Sequence, residues 1–201
     1  MTCCHGRLVA ASLVVALTAC AQLTPAGTAA RGAPVAASRQ DLSSRFVAFV
    51  GPKTQHAPPF LNIPGTNFYC LRSFVDLQTG DAAHQLYVSD SYFGAERGWN
   101  AARDSAGSPL QFVQISHDEI SCDAGCSYVE EFAAILLESK LRASPGGLAV
   151  TFLSPSGDEK TIVISGDRIA AQLAAIDARR TLTEPAAVGA QPVAAERSPT
   201  H

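Results

Sequence analysis

The chain has 201 residues, of which 15 are Lys or Arg and 18 are Asp or Glu. This slightly acidic balance argues against nucleic-acid binding and against an electrostatic hold on anionic lipid, because both need clustered basic residues. The sequence contains no phosphate-cradling glycine loop, dinucleotide fingerprint or zincin motif, so no cofactor is expected.

The first twenty residues have the order of a secretory signal. Arg7 precedes an apolar run over residues 8–17, and Leu17-Thr18-Ala19-Cys20 follows with small side chains. Ten helical residues rise about 15 Å, against about 30 Å of hydrocarbon, so the run cannot span a bilayer. We predict that residues 1–19 are a signal peptide. Its removal takes away Arg7 and no acidic residue, which moves the net charge from −3 to −4.

Leu17-Thr18-Ala19-Cys20 resembles the lipobox of bacterial lipoproteins. The resemblance implies that Cys20 carries a diacylglycerol thioether, becomes the new N-terminus and is acylated, for example with palmitate. Two or more acyl chains give a stable membrane anchor. Ala21 stands where inner-membrane members of this family usually have aspartate, so the resemblance implies an outer-membrane protein facing the periplasm. The remainder is similar to uncharacterised envelope lipoproteins of Gram-negative bacteria.

Composition divides the mature chain into three parts. Residues 20–39 are rich in Ala, Pro, Gly, Ser and Thr, which predicts a lipidated flexible tether. Residues 40–180 are long enough to bury the core of a single globular domain. Residues 181–201 contain three prolines and no periodicity, which predicts a disordered tail.

The domain is predicted to be mainly β, of the α+β class. Period-2 runs separated by turn residues predict three serial hairpins, the second joined through residues 122–126, and about six antiparallel strands. A helix is expected over residues 39–50 and a loop over 53–65. Residues 128–141 fit a helical stripe as well as a strand; we predict a strand over residues 128–136 and a helical turn at 137–142. An amphipathic C-terminal helix is predicted with Asp167 as its N-cap. The near alternative is a small β-sandwich.

Three cysteines remain in the predicted mature body: Cys70, Cys122 and Cys126. Export to an oxidising compartment favours one disulfide. A Cys122–Cys126 bond would pin the turn of the second hairpin, whereas Cys70 is an alternative partner for either. A metal site using His117, Cys122 and Cys126 is the functional alternative, since thiolates and imidazole suit zinc or copper(I).

Other polar residues offer weaker signals for chemistry. His56, His84 and His117 lie among serines such as Ser89 and Ser91, but no serine stands in a nucleophile-elbow motif. Neighbouring Glu130 and Glu131 are expected to point to opposite faces of a strand. A second set, Arg97, Trp99 and Arg103, would form either an anion or sugar pocket or a loop held by one buried indole.

These observations predict a lipid-anchored envelope protein without catalytic residues, which acts as a structural or partner-binding module. The expected contacts are the membrane, through the N-terminal lipid, and an envelope protein. The alternatives are a metal-binding or thiol-handling accessory protein and a hydrolase of envelope glycans or lipids.

Overall fold

The computed structural model describes residues 35–38, 45–123 and 125–183. They form eleven strands, a 3-10 turn at Phe60–Asn62 and two helices. In chain order these are β1 (Ala36–Ser38), β2 (Phe46–Val50), β3 (Thr54–Gln55), β4 (Phe68–Asp76), β5 (Ala82–Phe93), β6 (Ala101–Asp104), β7 (Pro109–Leu110), β8 (Phe112–Ser121), β9 (Ser127–Leu136), α1 (Glu138–Arg142), β10 (Gly147–Leu153), β11 (Glu159–Ser165) and α2 (Gly166–Thr183).

The strands form two antiparallel sheets around a common core. The larger has the order β1-β2-β4-β5-β9-β8, with β3 also paired to β4, and the smaller has the order β11-β10-β6-β7. Side chains from both sheets and from α2 share one buried cluster, which includes Leu86, Phe132, Phe152 and Ile169. The predicted class, mainly β with antiparallel hairpins and a C-terminal helix, is confirmed. The presence of two sheets matches the sandwich alternative more closely than a single sheet.

All three predicted hairpins are present. β4 pairs with β5, β8 with β9, and β10 with β11, each in antiparallel register. Residues 128–136 lie within β9 as predicted, and the predicted helical turn is α1. Period-2 alternation and turn chemistry therefore identify the long strands correctly.

The helix predicted for residues 39–50 is wrong. Residues 46–50 form β2, paired with β4 from Phe46 opposite Asp76 to Val50 opposite Arg72. The segment is rich in aromatic and β-branched residues, and Phe49 packs on Val75 and on Ile176 of α2. Pairing with a long neighbouring strand outweighs the weak helical spacing. Ala36–Ser38, predicted to belong to the flexible tether of residues 20–39, instead form β1 and pair with β2. Residues 39–44 lie outside the described residues.

The C-terminal helix begins at Gly166, so Asp167 lies in its first turn and is not its N-cap as predicted. A Cβ on Gly166 would lie only 1.8 Å from the carbonyl oxygen of Pro145, so the contact requires glycine. The helix continues to Thr183, which makes the boundary predicted at residue 181 three residues too early. The rest of the predicted tail lies outside the described residues.

The edge strand β8 is irregular. Its pairing with β9 shifts register between Gln114 and Ser116 and again between Glu119 and Ser121, as expected of β-bulges. In the part of the chain that the structure describes, no helix is long and apolar enough to cross a bilayer.

Candidate functional site

Two carboxylates lie side by side within the fold. Asp90 on β5 and Glu130 on β9 are directly opposite each other across the strand pair. Asp90 is 2% exposed and Glu130 is 0% exposed. Burying a charge is costly unless donors compensate it, so the surrounding hydrogen bonds decide what this pair can do.

Asp90 receives three donors. Arg97 donates from Nη1 at 2.9 Å, the Trp99 indole donates from Nε1 at 3.1 Å, and the Lys160 ammonium lies 3.0 Å from the other oxygen. Lys160 belongs to β11, so this carboxylate joins the two sheets.

Glu130 receives a different set. The backbone amides of Gly98 and Trp99 each donate at 3.0 Å, and the Tyr92 hydroxyl donates as well. Burial, followed by this hydrogen bond, raises the pKa of Tyr92, so Tyr92 remains a donor. We call Asp90, Arg97, Trp99, Glu130 and Lys160 the Trp99 centre. Its carboxylates are engaged by groups of the protein itself.

The prediction that Arg97, Trp99 and Arg103 lie together is only partly correct. Arg97 and Trp99 meet at Asp90, whereas Arg103 forms an exposed ion pair with Glu159 at 2.8 Å. Trp99 is 1% exposed. The geometry therefore matches the loop held by one buried indole.

The two histidines near the Trp99 centre have separate surroundings. His56 donates from Nε2 to the Ser89 carbonyl at 3.0 Å, and its Nδ1 lies 3.4 Å from Lys160. Burial, and then the Lys160 charge, lower the pKa of His56, which keeps it neutral. His117 lies 3.4 Å from Glu96 and 3.7 Å from Glu130.

A serine, a histidine and a carboxylate do line up elsewhere. Ser73 Oγ lies 2.9 Å from His84 Nδ1, and His84 Nε2 lies 3.3 Å from Glu138. Ser73 is 0% and His84 1% exposed, and Gln172 of α2 donates to the serine at 2.9 Å. Burial lowers the pKa of His84. This set of three side chains is not accessible to a substrate, as a nucleophile must be. It instead joins the larger sheet to both helices.

Glu138 is the junction between the two helices. Arg180 of α2 donates to it through both terminal nitrogens, and Arg142 of α1 binds it at 2.6 Å. Hydrogen bonds from Arg180 in first place, with Arg142 and His84 contributing further, hold the pKa of Glu138 well below its usual range. A group with this environment is a structural anion.

The predicted disulfide between Cys122 and Cys126 is present and closes the β8–β9 turn. Cys70, the alternative partner, is a buried free thiol. The Glu119 carboxylate and the two sulfurs lie within 4.8 Å of one another. His117, the metal ligand predicted from the sequence, does not belong to this group, because its ring faces Glu96 and Glu130.

An apolar surface formed by the 3-10 turn and the last residue of β5 was not predicted. Leu61 is 60% exposed, Ile63 52% and Phe93 60%. The ring of Phe60 lies 4.6 Å from the ring of Phe93, and the Ile63 amide donates to the Phe60 carbonyl at 2.9 Å. We call Leu61, Ile63 and Phe93 the apolar end.

Hydrogen bonds within and across the ends of the loop fix the conformation of the segment that carries Leu61 and Ile63. Its ends meet where the His56 amide donates to the Asn67 carbonyl at 3.0 Å, and the Thr66 hydroxyl bridges the Phe60 amide and the Ile63 carbonyl. Leu61 has φ of 51°, which is rare for a bulky residue. Such strain persists only where surrounding contacts impose it, and it is concentrated at functional sites.

Comparison with known proteins assigns no relative. No family model matches the chain, and neither a curated protein nor a solved structure matches it. Cys20, the predicted lipidation site, lies outside the described residues.

Proposed function

We propose that this protein is a lipid-anchored component of the bacterial cell envelope whose β domain binds a partner without catalysing a reaction. The observation that carries the location is the sequence Leu17-Thr18-Ala19-Cys20 behind a short apolar run. Ala21 favours the outer membrane, with the domain in the periplasm. The Cys122–Cys126 disulfide supports an oxidising compartment.

The carboxylates, serine and histidine that could act in hydrolysis are buried and already bound to other groups of the protein, which supports a binding role. Asp90 and Glu130 are buried and each accepts from three protein donors, which leaves them engaged before any substrate arrives. Ser73 and His84 are buried, with Ser73 against Gln172 of α2 and His84 against Glu138 of α1. Among the described residues, Leu61, Ile63 and Phe93 of the apolar end are exposed, and clustered exposed apolar side chains are typical of an interaction surface.

Lipid attachment tests the anchor. Cells that produce the full chain are labelled with palmitate, and the N-terminal peptide of the mature protein is measured by mass spectrometry. We expect label in the wild type and in Cys70→Ala, and its loss in Cys20→Ala. An unlabelled wild-type protein, or a mature form that begins at another residue, would contradict the proposal.

Metal binding at the turn of the second hairpin is a second candidate, favoured by the position of Glu119 beside the two sulfurs. A dithiol reductant would transfer two electrons and two protons to the disulfide, and the freed thiolates with Glu119 would offer three ligands to zinc. The reduced protein should then bind zinc about tenfold more weakly as Glu119→Gln, with Asp118→Asn as the matched control. Equal affinities of the reduced and oxidised proteins would exclude this site.

A further inference from the structure

A group of aromatic and basic residues lies on the outer face of the larger sheet, the face directed away from the core that the two sheets share. Cys70 of β4 is directly opposite Tyr87 of β5, and both are buried together with Phe68. Phe68 and Arg72 lie two positions to either side of Cys70, so they share its face of the sheet. The intervening residues of β4 belong to the shared core, which confirms this assignment of faces.

A cation covers each of the two rings in this group. The Arg72 guanidinium carbon lies 3.3 Å from the centroid of the Tyr87 ring, and the Lys53 ammonium lies 3.9 Å from the centroid of the Phe68 ring. The two rings also contact each other, with their centroids 5.7 Å apart. The two cations therefore lie over neighbouring rings of one surface, and stacking on those rings restricts their positions.

Backbone contacts fix the segment that carries Lys53. The Gly51 amide donates to the Leu71 carbonyl at 2.8 Å. β3 begins at the residue after Lys53 and pairs with β4 in a register that brings Lys53 beside Cys70. Burial raises the pKa of the Cys70 thiol, whereas Arg72 and Lys53 act in the opposite direction, because both cations lie close to the sulfur.

Neither Lys53 nor Arg72 has an acidic partner among the residues that the structure describes. Most of the basic residues in this part of the chain form an ion pair, namely Arg45, Arg97, Arg103, Lys140, Arg142, Lys160 and Arg180. Glu131 and Asp76 share the outer face, but Glu131 accepts from the Tyr87 hydroxyl and Asp76 accepts from Arg45. Two like charges held close together repel each other, and an anion bound between them removes that repulsion.

We infer that Lys53 and Arg72 form a binding site for a phosphate group. A guanidinium offers planar paired donors that match two phosphate oxygens, and an ammonium adds a compact point charge. Arginine carries five donors, so its contact with the Cys70 sulfur leaves others for an anion. Lys53 is exposed and Arg72 is half-buried, so a ligand reaches both from solvent.

The phosphate group belongs either to a soluble phosphate ester or to a phospholipid headgroup, since both present the same oxygens. The site depends neither on the lipid anchor nor on the apolar end, so it goes beyond the proposed function.

Calorimetric titration of the full chain, purified in a neutral detergent, tests the site. Glycerol phosphate replaces chloride at constant ionic strength. We expect saturable binding that weakens about tenfold in Arg72→Gln and about tenfold in Lys53→Gln, because each variant loses a charge-assisted hydrogen bond. Lys53 is exposed, so thermal unfolding of Lys53→Gln near the wild-type temperature shows that weaker binding is not a loss of folding.

Arg45→Gln is the matched control. Arg45 also lies over an aromatic ring, that of Phe46, but it is paired with Asp76. Its replacement should therefore leave the affinity for glycerol phosphate unchanged.

Glycerophosphoglycerol, the soluble headgroup of phosphatidylglycerol, distinguishes the two sources when it is titrated in the same way. Tighter binding of this diester supports a phospholipid ligand, and tighter binding of glycerol phosphate supports a soluble ester. Three results would overturn the inference: no saturable binding of either compound, binding of acetate as tight as that of glycerol phosphate, or equal affinities in the wild type, Lys53→Gln and Arg72→Gln.

Discussion

Replacement of Glu130 by alanine should destabilise the domain severely. The substitution leaves the Tyr92 hydroxyl and the amides of Gly98 and Trp99 without their acceptor, at a position that is 0% exposed. Each buried unsatisfied donor costs about 1–3 kcal/mol. Local relaxation and entry of water reduce the sum, so we expect a loss of about 3–5 kcal/mol in the free energy of unfolding. Glu130→Gln keeps one acceptor oxygen and should lose about half as much.

Urea unfolding at neutral pH measures these losses. The only tryptophan of the chain, Trp99, is buried at this centre, and its fluorescence reports the opening of the core, with far-UV circular dichroism as the second probe. Glu159→Ala is the matched control, because its ion pair with Arg103 is exposed and should contribute less than about 1 kcal/mol. A loss of under about 1 kcal/mol for Glu130→Ala would refute the assignment of Glu130 as the acceptor that holds residues 97–99.

Stability in urea should fall as the pH drops below about 6.5, because burial lowers the pKa of His84 and the unfolded chain then binds more protons than the folded one. His84→Gln should weaken this dependence, and the part due to His56, whose pKa burial also lowers, should remain. Reduction of the Cys122–Cys126 disulfide should lower the free energy of unfolding by about 2 kcal/mol, measured in urea with and without a phosphine reductant. Gly166→Ala should cost about 1–3 kcal/mol by clash, measured by thermal unfolding, whereas Gly146→Ala has open space and should have little effect.

Each of these outcomes has a clear contrary. A pH dependence unchanged in His84→Gln would assign the acid sensitivity to other groups. If a double Cys122→Ser, Cys126→Ser variant is as stable as the oxidised wild type, the disulfide does not contribute to the free energy of unfolding. Equal melting temperatures for the two glycine variants would show that the start of α2 can shift to admit a methyl group.

The long strands could be predicted because one side-chain period decides their faces. In β10, buried and half-buried positions alternate without interruption from Gly147 to Leu153. β6 has no such signal, since its inward residues are Ala102 and Asp104, one small and one charged. β2 was predicted as helix because its partner strand lies more than twenty residues further along the chain, and local spacing carries no information on that pairing.

The sequence identified several residues of the candidate site, but it did not predict which of them lie next to one another. Glu130 was expected to point away from Glu131, and it does, since the buried Glu130 binds Tyr92 while Glu131 hydrogen-bonds to Tyr87 on the other face. Its pairing with Asp90 depends on the register of β5 against β9, which a single sequence does not encode locally. The apolar end was missed because residues 53–65 lack periodicity, although a run without charge that contains Phe60, Leu61 and Ile63 was a visible signal.

The two bulges of β8 bear on how copies of this protein behave when crowded. An edge strand with regular spacing is a template on which an identical strand can add, and repetition of that step builds fibrils. Breaks near Ile115 and Ile120 leave no run of evenly spaced backbone groups longer than a few residues. At the β8 edge, a neighbouring copy therefore meets no continuous ladder on which to add a strand.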